Sequence, residues 1–195
     1  TIAGATGVTH VLTQSEVGMT IAVRVHYWDG ESTFEQVLSG GVGPVTNTND
    51  LPTGEVTITG SLLQGQTLTA FSTLSDPDGM VGSLSYQWLS DGQTIAGATG
   101  VTHVLTQSEV GTAISVQVSY VDGFGTNETV TSAQTNAIQN INDLPTGQLT
   151  VTGSLVKGQT LTAVSTLSDP DGMSSLSYQW LSNGQTIAGA TGVTH

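Results

Sequence analysis

The decapeptide TIAGATGVTH begins at Thr1, Thr94 and Thr186, at offsets of 93 and 92 residues. Whole stretches recur with it: VLTQSEVG at Val11 and Val104, DLPTG at Asp50 and Asp143, SYQWLS at Ser85 and Ser177. A period of this length is too long for a solenoid turn and suits a small complete domain. The chain therefore reads as a tandem array, with residues 1–49 the back half of one unit, 50–142 a complete unit and 143–195 the front half of the next. The later copy is one residue shorter, because DPDGMVGSLSYQW becomes DPDGMSSLSYQW.

Within the complete unit the apolar residues alternate. Leu84, Tyr86 and Trp88 do so before the hairpin pair Asp91-Gly92, and Ile114, Val116, Val118 and Tyr120 do so after it. A period of two is that of a strand with one buried face, and Asp-Gly suits a two-residue hairpin turn with positive φ. Val56/Ile58, Leu68/Ala70 and a segment ending at Leu105 add further short strands. About seven strands separated by turn signals predict an all-β fold of tandem immunoglobulin-like β-sandwich units. The copies test which face is buried. Ile21/Ile114, Val23/Val116, Val25/Val118 and Tyr27/Tyr120 are unchanged, whereas Ala22/Ser115, Arg24/Gln117, His26/Ser119 and Trp28/Val121 differ. The unvarying set is the inward one.

Each partial unit lacks the strands that would cover its sheet. Either the chain continues in a longer protein, or the tail of one copy completes the head of the next and builds a head-to-tail fibre.

Charge narrows the partners. The 195 residues carry fifteen acidic and only two basic side chains, Arg24 and Lys157, for a formal charge of −13. A nucleic-acid surface or an anionic membrane surface is excluded electrostatically, and a cation is the natural complement. No apolar run approaches membrane-spanning length, which argues against membrane insertion, and there is no cysteine for disulfides or thiolate metal sites. No Ser-His-acid set, phosphate-cradling glycine loop or zinc spacing appears, so the sequence reads as a non-enzyme.

The run YQWLSDGQTIAGATG…VLTQSEVGTAISVQVSYVDG, with NDLPTG linkers and a DPDG loop, resembles the immunoglobulin-like repeats found in tandem in large RTX-type, type I secreted bacterial adhesins. The tryptophan and the corner before the long strand match, while the immunoglobulin cysteine pair is absent, as is the glycine-rich nonapeptide of a calcium β-roll. The resemblance implies an extracellular, cell-surface stalk of calcium-stiffened extender units whose partners are adjacent repeats of the same chain. A carbohydrate- or protein-binding module is the alternative.

Placed on such a sandwich, the linker and two loops meet at one pole, which brings together Asp50, Asp76, Asp78 and Asp122. Glu16, on the corner of the preceding unit, is positioned to close the site across the boundary. The second joint repeats the set as Asp143, Asp169 and Asp171 with Glu109, and Asp29 belongs to a joint whose other members precede Thr1. Calcium takes six to eight oxygen ligands in a loosely constrained shell, and clustered carboxylates without a basic neighbour supply them. The arrangement is similar to cadherin ectodomains, where linker aspartates and D-x-D loops share ions between domains. Each piece also has a plainer reading: Asp-Pro-Asp-Gly and Asn-Asp-x-Pro form turns without any ion, and Glu16 and Glu109 suit solvated corner residues capping a turn.

Overall fold

The computed structural model describes residues 1–195. In chain order the strands are β1 (Arg24–Trp28), β2 (Phe34–Leu38), β3 (Val56–Thr59), β4 (Thr67–Ser72), β5 (Met80–Ser90), β6 (Gln93–Thr94), β7 (Thr102–Val104), β8 (Ile114–Asp122), β9 (Asn127–Thr131), β10 (Leu149–Gly153), β11 (Leu161–Ser165), β12 (Leu181–Ser182) and β13 (Gln185–Thr186). The fold is all-β. Its only helical pieces are two three-residue 3₁₀ turns, Gln14–Glu16 and Gln107–Glu109, and no helix is long and apolar enough to cross a membrane.

In the central segment two antiparallel sheets form, one in the order β3-β4-β7 and the other β6-β5-β8-β9. Both contribute to one apolar cluster: Val56, Leu68 and Ala70 from the first, Trp88, Ile114, Val116 and Val118 from the second, closed by Leu105 and Ile138. Burying each large member stabilises the fold by roughly 1.5–3 kcal/mol. Trp88 is fully buried, and its indole N–H donates to the Gly100 carbonyl at 2.9 Å. At the β5–β6 hairpin Asp91 and Gly92 have φ of 46° and 79°, the left-handed pair that such a turn requires. Pairing of β5 with β8 is interrupted between Val81 and Ser85. The residue absent from the later copy falls at this irregularity, where a one-residue change leaves the Ser85–Ser90 register intact.

The alternation fixes which side chains go inside. Val116 and Val118 are fully buried and Tyr120 is 5 % exposed, whereas Val23, just before the matching strand β1, and Val25 and Tyr27 on it are 58, 56 and 51 % exposed. Identical residues differ only because β1 pairs with β2 alone and no second sheet lies across it. In the segment 143–195, Leu149, Val151, Ala163, Tyr178 and Trp180 likewise line an open groove.

Residues 137–139 carry the chain out of the central segment. Ile138 is held between Thr112 and Gly111 by two backbone bonds of 2.9 Å, and Gln139 exchanges bonds with Leu62 and Gln64. The linker therefore leaves from a fixed point.

Candidate functional site

The loop between β4 and β5 is built around its own aspartates. Asp76 Oδ1 accepts the Asp78 N–H at 2.8 Å, and its Oδ2 accepts the Tyr120 hydroxyl at 2.6 Å. That leaves Asp78 free to reach across the boundary. Its Oδ1 accepts Gln14 Nε2 at 2.8 Å, from the corner of the preceding unit, and its Oδ2 accepts the backbone N–H of Asp50 in the linker at 2.7 Å.

Asp122, at the end of β8, turns its chain with Oδ1, which accepts the N–H groups of Phe124 at 2.9 Å and Thr126 at 2.7 Å. The next residue ties this turn to the first loop, since Gly123 N–H donates to the Asp78 carbonyl at 3.1 Å. A Cβ on Gly123 would lie 2.3 Å from that carbonyl oxygen, so the approach requires glycine.

The structure thus brings Asp76, Asp78 and Asp122 to one pole, with the linker residue Asp50 bound to it through its backbone. It adds Glu128, which sits opposite Tyr120 on β9 and accepts Asn49 Nδ2 at 2.8 Å. Asp76, Asp78, Asp122 and Glu128 are all buried, and no Lys or Arg side chain pairs with any of them. Burial alone pushes the Asp122 carboxyl up, but the N–H donors of Thr126 and Phe124 outweigh it and hold the group below the usual aspartate value. The Tyr120 hydroxyl is pushed far above its ordinary value by burial and by its bond to Asp76, with the charges of Glu128 and Asp122 adding to the effect.

The second joint repeats the wiring. Asp169 Oδ1 accepts Asp171 N–H at 2.9 Å, and Asp171 Oδ2 accepts Asp143 N–H at 2.7 Å. Asp171 Oδ1 takes Asn140 Nδ2 at 2.8 Å and, more weakly, Gln107 Nε2 at 3.4 Å. Gln64 then clamps the linker from the other side, donating to Asp143 Oδ2 at 2.8 Å and accepting the Ile141 N–H at 3.1 Å.

Two residues expected at the joints, Glu16 and Glu109, lie elsewhere. Glu16 and Glu109 do not face the boundary; each folds back to cap its own 3₁₀ turn. Glu16 Oε2 accepts the Thr13 N–H and hydroxyl at 2.6 and 2.8 Å, and Glu109 makes the same pair of bonds with Thr106, the hydroxyl one at 2.9 Å. The Thr13 N–H, with the Thr13 hydroxyl, holds Glu16 below its ordinary value against the opposing effect of burial. Their outer oxygens approach His10 Nε2 at 3.5 Å and His103 Nε2 at 3.3 Å. His103 also lies against Trp88, ring centroids 5.6 Å apart. Asp29 turns the β1–β2 hairpin, its Oδ1 accepting the N–H groups of Glu31 and Thr33 at 2.9 and 2.8 Å, and meets none of the other aspartates.

Three buried oxygens lack any donor: Asp122 Oδ2, Asn47 Oδ1 in the first linker, and Gln107 Oε1 at the second joint. An unpaired buried acceptor costs about 1–3 kcal/mol, which a cation would offset. No three His, Asp or Glu side chains are grouped so as to hold a metal by themselves. A cation at either joint would therefore draw on amide and backbone oxygens besides the carboxylates. Comparison with protein-family models, curated proteins and solved structures finds no match to this chain.

Proposed function

We propose that the chain consists of tandem immunoglobulin-like β-sandwich repeats that serve as a stalk in a bacterial cell-surface adhesin, stiffened at its joints by calcium to hold a distal binding region away from the cell. One observation carries this reading: the same hub is used at both boundaries, with Asp78 and Asp171 each accepting the linker aspartate's backbone N–H and an amide from the preceding corner. A device copied at each joint suits transmission of orientation along an array better than it suits catalysis at one place.

In this reading calcium occupies the same places. At neither joint do three carboxylates form a ready-made shell, so at the first an ion would draw Asp50, Asp76, Asp78 and Asp122 together and complete its shell from amide and backbone oxygens such as that of Asn47. Asp143, Asp169, Asp171 and the Gln107 amide oxygen would hold it at the second. The ion supplies positive charge where buried carboxylates otherwise repel one another. The protein's own part is to fix the loops: Tyr120 and the Asp78 N–H orient Asp76, the Thr126 and Phe124 N–H groups orient Asp122, and Gly123 lets the two turns touch. Clamping the linker removes the freedom that a hinged chain retains.

Thermal unfolding with and without calcium tests the proposal. An ion that binds only the folded form raises the midpoint, and extracellular calcium modules bind at roughly 10⁻⁴ to 10⁻³ M, so millimolar calcium should raise it measurably. A midpoint unmoved by calcium overturns the metal part of the reading.

A further inference from the structure

The β1–β2 pair has a second face that the joints do not use. Cross-strand partners share a face in alternation, so Trp28↔Phe34, His26↔Gln36 and Arg24↔Leu38 lie on one side, while Val25↔Val37 and Tyr27↔Glu35 lie on the other. The second side corresponds to the buried side of β8. The first points outward, and all six of its residues are exposed, Trp28 at 69 %. Phe34 bridges the other two rings, with centroids 5.2 Å from Trp28 and 5.5 Å from His26.

The same outward positions in the complete unit are Gln117, Ser119, Val121, Asn127, Thr129 and Thr131, an ordinary polar strand surface. Three rings and a guanidinium therefore stand where the complete unit carries Val121, Ser119, Asn127 and Gln117, on a framework that needs none of them. Charge identifies the occupant. In a chain with fifteen acidic residues, this strip carries no carboxylate and holds one of only two basic side chains, Arg24. It runs roughly 13 Å along the strand, since successive residues rise about 3.3 Å. A long polyanion would be repelled by the net charge of −13. A short acidic oligosaccharide carries few charges and so feels less of that repulsion, while the apolar faces of its rings fit over flat aromatic side chains and one carboxylate suits the planar fork of an arginine.

We propose that the outward face of β1 and β2 binds a short acidic oligosaccharide, with sugar rings stacked on Trp28 and Phe34 and its carboxylate paired with Arg24. Gln36 and His26 supply hydrogen bonds to ring hydroxyls. The site is independent of calcium at the joints.

The test is titration of the whole chain with sialyllactose, trigalacturonate and neutral lactose, followed by calorimetry in the presence of a chelator. The variants are Trp28→Val and Arg24→Gln, which install the residues that the complete unit already carries at these positions, and circular dichroism checks that both remain folded. At least one acidic sugar should bind saturably. Trp28→Val should weaken it by about tenfold or more, and Arg24→Gln should weaken the acidic sugar while leaving lactose unchanged. No saturation by either acidic sugar up to about 10 mM, or binding indifferent to Trp28→Val, overturns the proposal. So does self-association of the chain that Trp28→Val abolishes, which would make a second copy the occupant.

Discussion

Replacing Glu109 by alanine separates the two roles its sequence position allowed. In the structure the carboxylate is 3 % exposed, accepts both the backbone N–H and the hydroxyl of Thr106, and lies 3.3 Å from His103 Nε2. Hydrogen bonds to a charged group contribute about 1.5–3 kcal/mol each, and removing a cap costs about 0.5–2 kcal/mol; because the two bonds share one partner residue, about 2–4 kcal/mol is expected in total. For a unit of this size each kcal/mol moves the midpoint by about 4–8 °C, so a fall of roughly 8–32 °C should appear by circular dichroism. The fall should be the same in calcium and in chelator, because the corner caps itself. A loss confined to calcium-containing buffer, with the chelated protein unaffected, would refute the capping argument and return Glu109 to the joint.

Acid should destabilise the fold in a defined window. Glu16 and Asp122 are held below their ordinary values of 4.5 and 3.8, so their contribution is complete above those values and is lost as pH falls through the lowered ones. Urea unfolding should therefore give similar stability at pH 7 and 5 and a steep fall below about pH 4; a decline centred near neutrality would contradict it. Tyr120 is shifted the other way, so its contribution is intact below its ordinary value of 10 and fades only as pH rises beyond it, readable in an alkaline denaturation series. Gly123→Ala drives a methyl group against the Asp78 carbonyl and should cost about 1–3 kcal/mol while also weakening any calcium response, measured as the midpoint shift. Asp91→Asn keeps the left-handed turn that Asn183 adopts at φ 47°, so its stability should stay within about 0.5 kcal/mol of the parent by urea titration.

The strands were legible because a two-residue period and an internal second copy constrain the same positions independently. The alternation puts Ile114, Val116, Val118 and Tyr120 inward, and they are buried. The Asp91-Gly92 turn was legible because its backbone conformation admits few residue types. The direction of Glu109 was not, since it depends on whether a three-residue helical turn folds the side chain back. The clue was present as Thr106-Gln107-Ser108-Glu109, a capping-box spacing that recurs at Thr13–Glu16. Glu128 was also missed. It stands at an inward position of its strand, and Glu35 holds the same place in the first copy, so the alternation that located the core would have flagged a buried acid. The amide donors Gln14 and Asn49 carry no such signal, because their roles arise only where two segments far apart in sequence meet.

In the proposed stalk, acidic loops and a linker lock successive units end to end when a divalent ion is present. The chain has no cysteine, so Glu31→Cys with Thr129→Cys gives a unique pair of dye positions on either side of the first joint. Single-molecule energy transfer between them should change from a broad distribution in chelator to one narrow population in millimolar calcium, and Asp78→Ala should restore the breadth. An identical distribution with and without calcium would contradict the account.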